Sequence, residues 1–164
     1  MSEQVYHVLF LCTGNSARSI MAEVMMSHLG GEHFIAYSAG SHPKGAVHPL
    51  AVETMQSMGL SVHGLRSKSW EEFARPDVPP LDFILTVCND AAGEVCPVWP
   101  DKPMTAHWGV EDPAAFAGTE DDKRQKFHQV ALILRRRLEL FLCLPLANLD
   151  TMTLQARLKD IGQE

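Results

Sequence analysis

In "VLFLCTGNSARSIMAE" (Val8 to Glu23) an apolar run stops at Cys12, and Arg18 follows six residues later across a short polar loop. A thiol and a guanidinium so spaced suit one kind of chemistry. A strand-to-helix turn gathers backbone N–H groups at one spot, and the helix N-terminus adds positive potential. Gly14 lets the backbone approach a ligand closely. Arg18 offers a planar, permanently charged fork for a tetrahedral oxyanion. A cysteine at the bottom of that nest is expected to have a depressed pKa, because the same field favours its thiolate. Cys12, Thr13, Gly14, Asn15, Ser16, Ala17 and Arg18 therefore read as a nucleophile joined to an oxyanion cradle. The loop is not a nucleotide P-loop, which requires G-x-x-x-x-G-K-[ST]. The bland alternative is a buried cysteine that ends a core strand before a polar helix cap.

Such a loop works only if the surrounding elements hold it. Tyr6 to Cys12 reads as a strand buried on both faces. Ser16 to Leu29 reads as a helix stopped by Gly30-Gly31. "HFIAYSAG" is a second strand, Leu50 to Met58 a helix with Pro49 near its first turn, "LDFILTVC" a third strand and "MTAHW" a short fourth. Asp121 to Leu142 is a long amphipathic helix carrying Val130, Ile133, Leu134, Leu138 and Leu142. After Pro145 a weaker helical pattern (Leu149, Met152, Leu158, Ile161) could cap the domain, meet a partner or stay loosely attached. Alternating strands and helices imply an α/β domain, a three-layer sandwich around a four-stranded parallel sheet. Residues 1–146 would form the domain and 147–164 a C-terminal helical extension of it. Cys12 and Cys88 both fall at strand carboxyl ends, where an open α/β sheet places its ligands.

The bulk numbers exclude several classes. The 164 residues suit one domain, with 46% hydrophobic and 21% charged residues. A formal charge of −6 argues against a general nucleic-acid binder. No apolar run has the roughly 18 residues of a membrane span, and "MSEQVYHVLFLC" lacks the marks of a signal peptide. A cytoplasmic protein without membrane or nucleic-acid partners is expected. In such a reducing compartment Cys12, Cys88, Cys96 and Cys143 are more often catalytic, redox-active or metal-binding than structural disulfides. Two cysteines with no matching pair are a weak zinc signal, and the eight histidines show no H-E-x-x-H spacing. No metal or other cofactor is expected. His107 reads as structural, Trp99 and Trp108 as packing residues, Cys143 as a buried apolar thiol, and Arg135 to Arg137 as a solvated helix face.

"CTGNSARSIMAE" resembles the phosphate-binding loop of the low-molecular-weight protein tyrosine phosphatase superfamily. More narrowly it is similar to the arsenate reductases of that fold, of the thioredoxin-coupled type. "YSAG" (Tyr37 to Gly40), "LTVCNDAAGEVCP" (Leu85 to Pro97) and "HWGVEDPA" (His107 to Ala114) extend the resemblance over roughly Val5 to Leu142. Ile20 and Ala114 stand where phosphatases of the fold commonly carry a proline and an aromatic, which favours the reductase branch.

The resemblance implies arsenate as substrate, with phosphate or sulfate as analogues, and a part in arsenical resistance. Cys12 would attack arsenate held by Arg18 and the loop amides, and Asp112 in "VEDPA" would protonate the departing oxygen. Cys88 would attack the Cys12–arsenic adduct, and Cys96 would pass the oxidation on as a redox-active Cys88–Cys96 disulfide. Thioredoxin would reduce that bridge. The Cys-x7-Cys spacing is longer than in the thioredoxin-linked members, so a route through glutathione and glutaredoxin using Cys12 and Cys88 stays open. A phosphatase acting on phosphotyrosine or small phosphate esters is the alternative. Ser19 would donate to the Cys12 sulfur, and Asn15 would hold the loop. Some reductases of the branch bind potassium beside the loop; Asn15, Glu23 and Ser38 match three of its ligands. Lys68 stands at the fourth, where an ammonium could replace the metal.

Overall fold

β1 (Tyr6–Leu11) carries the sequence feature that organises the sheet, an uninterrupted apolar run. Val8, Leu9, Phe10 and Leu11 are none more than 1% exposed, so both faces of the strand are covered. The structure, a computed structural model, describes residues 4–75, 77–88 and 103–163. In it β1 pairs in parallel with β2 (Phe34–Ala39) on one side and β3 (Phe83–Thr86) on the other. β4 (Met104–His107) adds to β3, giving the order β2-β1-β3-β4, parallel throughout. The chain leaves β1 first toward one side and later toward the other. The gap above the carboxyl ends of β1 and β3 is therefore the topological switch point of the sheet.

Alternation along β1 divides two apolar layers. Val8 and Phe10 face the larger core with α1 (Arg18–Gly30), α2 (Pro49–Ser57), α3 (Glu120–Leu142) and α4 (Thr151–Ile161). Leu9 and Leu11 face a smaller layer with Leu81, Ile84 and Trp70, the last on a short 3-10 turn, Trp70–Phe73. The helix starts are chemically marked. His48 Nδ1 accepts from the Leu50 amide at the head of α2, Thr119 and Asp122 form a capping box on α3, and Asp150 caps α4.

The strands stop one or two residues short of the expected ends. Cys12, Gly40, Cys88 and Trp108 lie just past Leu11, Ala39, Thr86 and His107, where the backbone leaves the ladder to build loops. Three expectations need correction. Cys143 is exposed at the end of α3, because the helix stops at Leu142, which still packs on the core, and Cys143 is the cap beyond it. Arg135 and Arg136 are exposed, but Arg137 is buried, one helical turn from Leu134 and Phe141 on the core face. Its Nη1 donates to the carbonyls of Trp108 (2.8 Å) and Gly109 (3.1 Å). Ile133 on α3 and Met152 on α4 face outward, while Leu154, Leu158 and Ile161 bury α4 against the core. Trp108 is buried, and its Nε1 donates to Leu158 O.

Candidate active site

The loop after β1 is shaped by where its carbonyls go. His42 N donates to Thr13 O (2.9 Å), Lys44 N to Gly14 O (2.9 Å) and His48 N to Ser16 O (2.8 Å). A trans peptide points its N–H opposite its C=O. Drawing these carbonyls outward therefore turns the amides of Gly14, Asn15 and Ala17 toward the loop's interior. Gly40 lies directly beneath. A Cβ there would stand 2.4 Å from Thr13 O and 2.6 Å from Cys12 O, so only glycine lets β2 end this close to the loop.

Asn15 is fully buried with φ 44°, the one non-glycine residue at positive φ among those described. Its Oδ1 accepts from the Lys68 amide (2.8 Å) and its Nδ2 donates to Ser19 Oγ (2.9 Å). Behind the loop, Lys68 Nζ donates to Arg66 O (3.1 Å) and Ser38 Oγ (3.4 Å) and stands 3.5 Å from Glu23 Oε1. Ser38 Oγ donates to the same Glu23 carboxylate. Burial pulls the Lys68 pKa down against the opposing pull of Glu23. Among the described residues, no group of three or more His, Cys, Asp or Glu side chains is placed to hold a metal ion.

Cys12, Thr13, Gly14, Ser16, Ala17, Arg18 and Asp112 line one cavity of about 210 Å³, together with His42 and Lys44. Arg18 donates from Nη1 to Val110 O (3.0 Å), and its Nη2 is 3.6 Å from Asp112 Oδ2. Asp112 also accepts from the Ala114 amide (3.0 Å), which fixes it at the head of the Pro113–Ala115 turn. A larger groove of about 470 Å³ lies between α2 and α3, and among the described residues no cysteine lines it.

Cys88 is buried behind the loop. Its sulfur accepts from the Thr13 amide (3.2 Å) and is in hydrogen-bonding contact with the Cys12 thiol. That contact corrects the expected pKa of Cys12. The Cys88 thiol and burial push Cys12 up, and the Arg18 guanidinium and Gly14 amide pull it down without prevailing. Two sulfurs sharing one site resist carrying two negative charges, and the sequence gives no distance by which to foresee that. Cys96 and Trp99 lie outside the described residues. His107 bonds through Nδ1 to Thr86 Oγ1 (2.7 Å), outside the cavity lining.

Sequence reasoning missed Gly40, His42, Lys44 and His48 as loop supports. The available signal was positional: "SHPKG" follows β2 and so leaves the sheet at the same edge as Cys12 and Cys88.

The parallel sheet with this loop at its switch point defines a class. The profile of the low molecular weight phosphotyrosine protein phosphatase family matches residues 7–155, and the chain belongs to that family. Within it, the chain is 36% identical over 141 residues to an arsenate reductase of Oceanobacillus iheyensis, covering 86% of this chain and 96% of the relative. It is also 36% identical over 135 residues to the Bacillus subtilis arsenate reductase, covering 82% and 93%. A solved arsenate reductase in the phosphate-binding state superposes with a TM-score of 0.64 at 26% identity, covering 82% of this chain and 95% of that one.

Proposed function

We propose that this chain reduces arsenate to arsenite by a thiol relay. The observation that carries the reading is the contact between two thiols, Cys12 and Cys88, at a cavity lined by Cys12, Arg18 and Asp112. A phosphatase ends with water attacking the phosphocysteine and has no use for the second thiol. The arsenate reductases among the relatives support the same reading.

Arsenate enters with its oxygens toward the loop amides and Arg18. The Cys12 thiolate attacks arsenic; a sulfur–arsenic bond forms as an arsenic–oxygen bond breaks, and Asp112 gives its proton to the hydroxyl, which leaves as water. The Cys88 thiolate then attacks the Cys12 sulfur. A disulfide forms, the sulfur–arsenic bond breaks, and its electron pair stays on arsenic. Two thiols are oxidised to one disulfide, and arsenic falls from As(V) to As(III). The shared site orders these steps. Once the Cys12 sulfur is bonded to arsenic it no longer carries a charge, and the repulsion between the two sulfurs that pushes Cys12 up is relieved.

Cys96 next attacks Cys88, releasing Cys12 and leaving a Cys88–Cys96 disulfide for thioredoxin. In the alternative route, glutathione with glutaredoxin opens Cys12–Cys88 directly. Ser19, whose oxygen accepts from Asn15, donates a hydrogen bond from its hydroxyl to the Cys12 sulfur and so steadies the thiolate. The relay needs reduced thiols at rest, which suits the cytoplasm.

The test is arsenite formation by wild type, Cys88→Ser and Cys96→Ser with each reducing system. Cys88→Ser is expected to lose arsenite formation while keeping slow hydrolysis of p-nitrophenyl phosphate. Unchanged arsenate turnover in Cys88→Ser would refute the relay. Activity of Cys96→Ser with glutathione and glutaredoxin selects the two-cysteine route.

A further inference from the structure

We propose that Lys44, with His42 beside it, is a specificity residue that makes the cavity mouth select free inorganic oxyanions over aryl phosphate esters. This rests on the reading of Cys12 as the nucleophile toward a bound oxyanion. The segment after β2 is held against the loop by main chain: His42 N donates to Thr13 O and Lys44 N to Gly14 O. Ser67 reinforces it, since Ser67 Oγ donates to Gly14 O (3.2 Å) and accepts from Gly45 N (3.2 Å). The Lys44 side chain lies over Gly14: a Cβ on that glycine would sit 3.2 Å from Lys44 Cε, 3.3 Å from Cγ and 3.4 Å from Cδ. The hydrocarbon stem thus covers the loop's first turn, and Lys44, an exposed residue, lines the cavity together with Arg18 and Asp112.

An anion attacked by Cys12 directs three oxygens at the loop and its fourth outward, toward the groups at the rim. In arsenate or phosphate that fourth oxygen is a charged or hydroxyl oxygen, which a cation attracts. In an aryl ester it bears a ring. Among the described residues no Phe, Tyr or Trp lines the cavity to receive one, and a ring there would strip water from Lys44, His42 and Asp112 without replacing it.

The test compares wild type, Lys44→Met and Lys44→Arg. Methionine keeps the cover over Gly14 and removes the charge. The first readout is protection of Cys12 from iodoacetamide by inorganic phosphate, followed by mass spectrometry, which needs no turnover. Lys44→Met is expected to need about fivefold more phosphate, the scale of one part-exposed ion pair. The arsenate KM should rise by a similar factor, more than kcat changes. The KM for p-nitrophenyl phosphate should rise less, and Lys44→Arg should restore arsenate binding. Unchanged phosphate protection in Lys44→Met, or an equal loss toward the aryl ester, would overturn the assignment while leaving arsenate reduction standing. A wild type that forms no arsenite, yet whose phosphate protection depends on Lys44, would instead sink the reductase reading and keep this one.

Discussion

At the scale of single residues, the chemistry depends on which of two sulfurs holds a proton. Cys88 is the largest cause pushing the Cys12 thiol up, ahead of burial, and Arg18 opposes both. Removing Cys88 should therefore lower the pH at which Cys12 becomes a thiolate. In Cys88→Ala the midpoint of Cys12 alkylation against pH is expected to move down from its wild-type position. A midpoint that stays or moves up would mean that the neutral Cys88 thiol was stabilising the thiolate instead. The thiol and the arginine were legible from their strand–turn–helix setting, whereas the acid was legible only through the family resemblance, because Asp-Pro turns are frequent on protein surfaces. The upward shift of Cys12 was not legible, since it depends on contact between residues 76 positions apart.

At the scale of elements, the loop is gripped from three sides: by the segment after β2, by Gly40 at the end of β2, and by Lys68 in the crossover toward β3. Lys68 joins two of these tasks. Its amide fixes Asn15, and its ammonium lies between Glu23 on α1 and Ser38 on β2. We infer that this internal cation takes the place of the potassium ion that some reductases of the branch this loop resembles bind there. Arsenite formation is expected to be equal in sodium and potassium buffers of matched ionic strength, and Lys68→Ala to gain stimulation by potassium. Strong stimulation of the wild type would rule the role out. The element types were readable from periodicity, including the buried strands and the long amphipathic helix. Their ends were readable less well, because Cys12, Gly40 and Cys88 continue an apolar pattern while serving loops rather than the ladder.

At the scale of the whole molecule, the segment carrying Asp112 is held from its far side. Arg137 on α3 donates to the carbonyls of Trp108 and Gly109, and Trp108 in turn donates to Leu158 on α4. Val110, the next residue along, offers its carbonyl to Arg18. A contact between two helices and a strand end thus reaches the cavity through three consecutive residues. Arg137→Met keeps the volume and leaves those two carbonyls unmatched, at a cost of about 1–3 kcal/mol. The urea midpoint should fall accordingly, and arsenate turnover should fall with it as Asp112 loses its fixed position. An unchanged midpoint would show that the two carbonyls find other partners.

By itself the sequence determined the class of the fold and the nature of the loop. Hydrophobic periodicity and the "CTGNSARS" pattern are local, and local geometry follows from a few neighbouring residues. It could not place Arg137 inside or Cys143 outside, because in both cases a single helical turn separates core from solvent. Only the tertiary structure decided that Cys12 meets Cys88, that Lys68 sits among Glu23 and Ser38, and that Lys44 covers Gly14. Each joins segments that lie far apart in the chain, and the energy that fixes such contacts comes from the packed sheet and helices around them rather than from the residues' own neighbours.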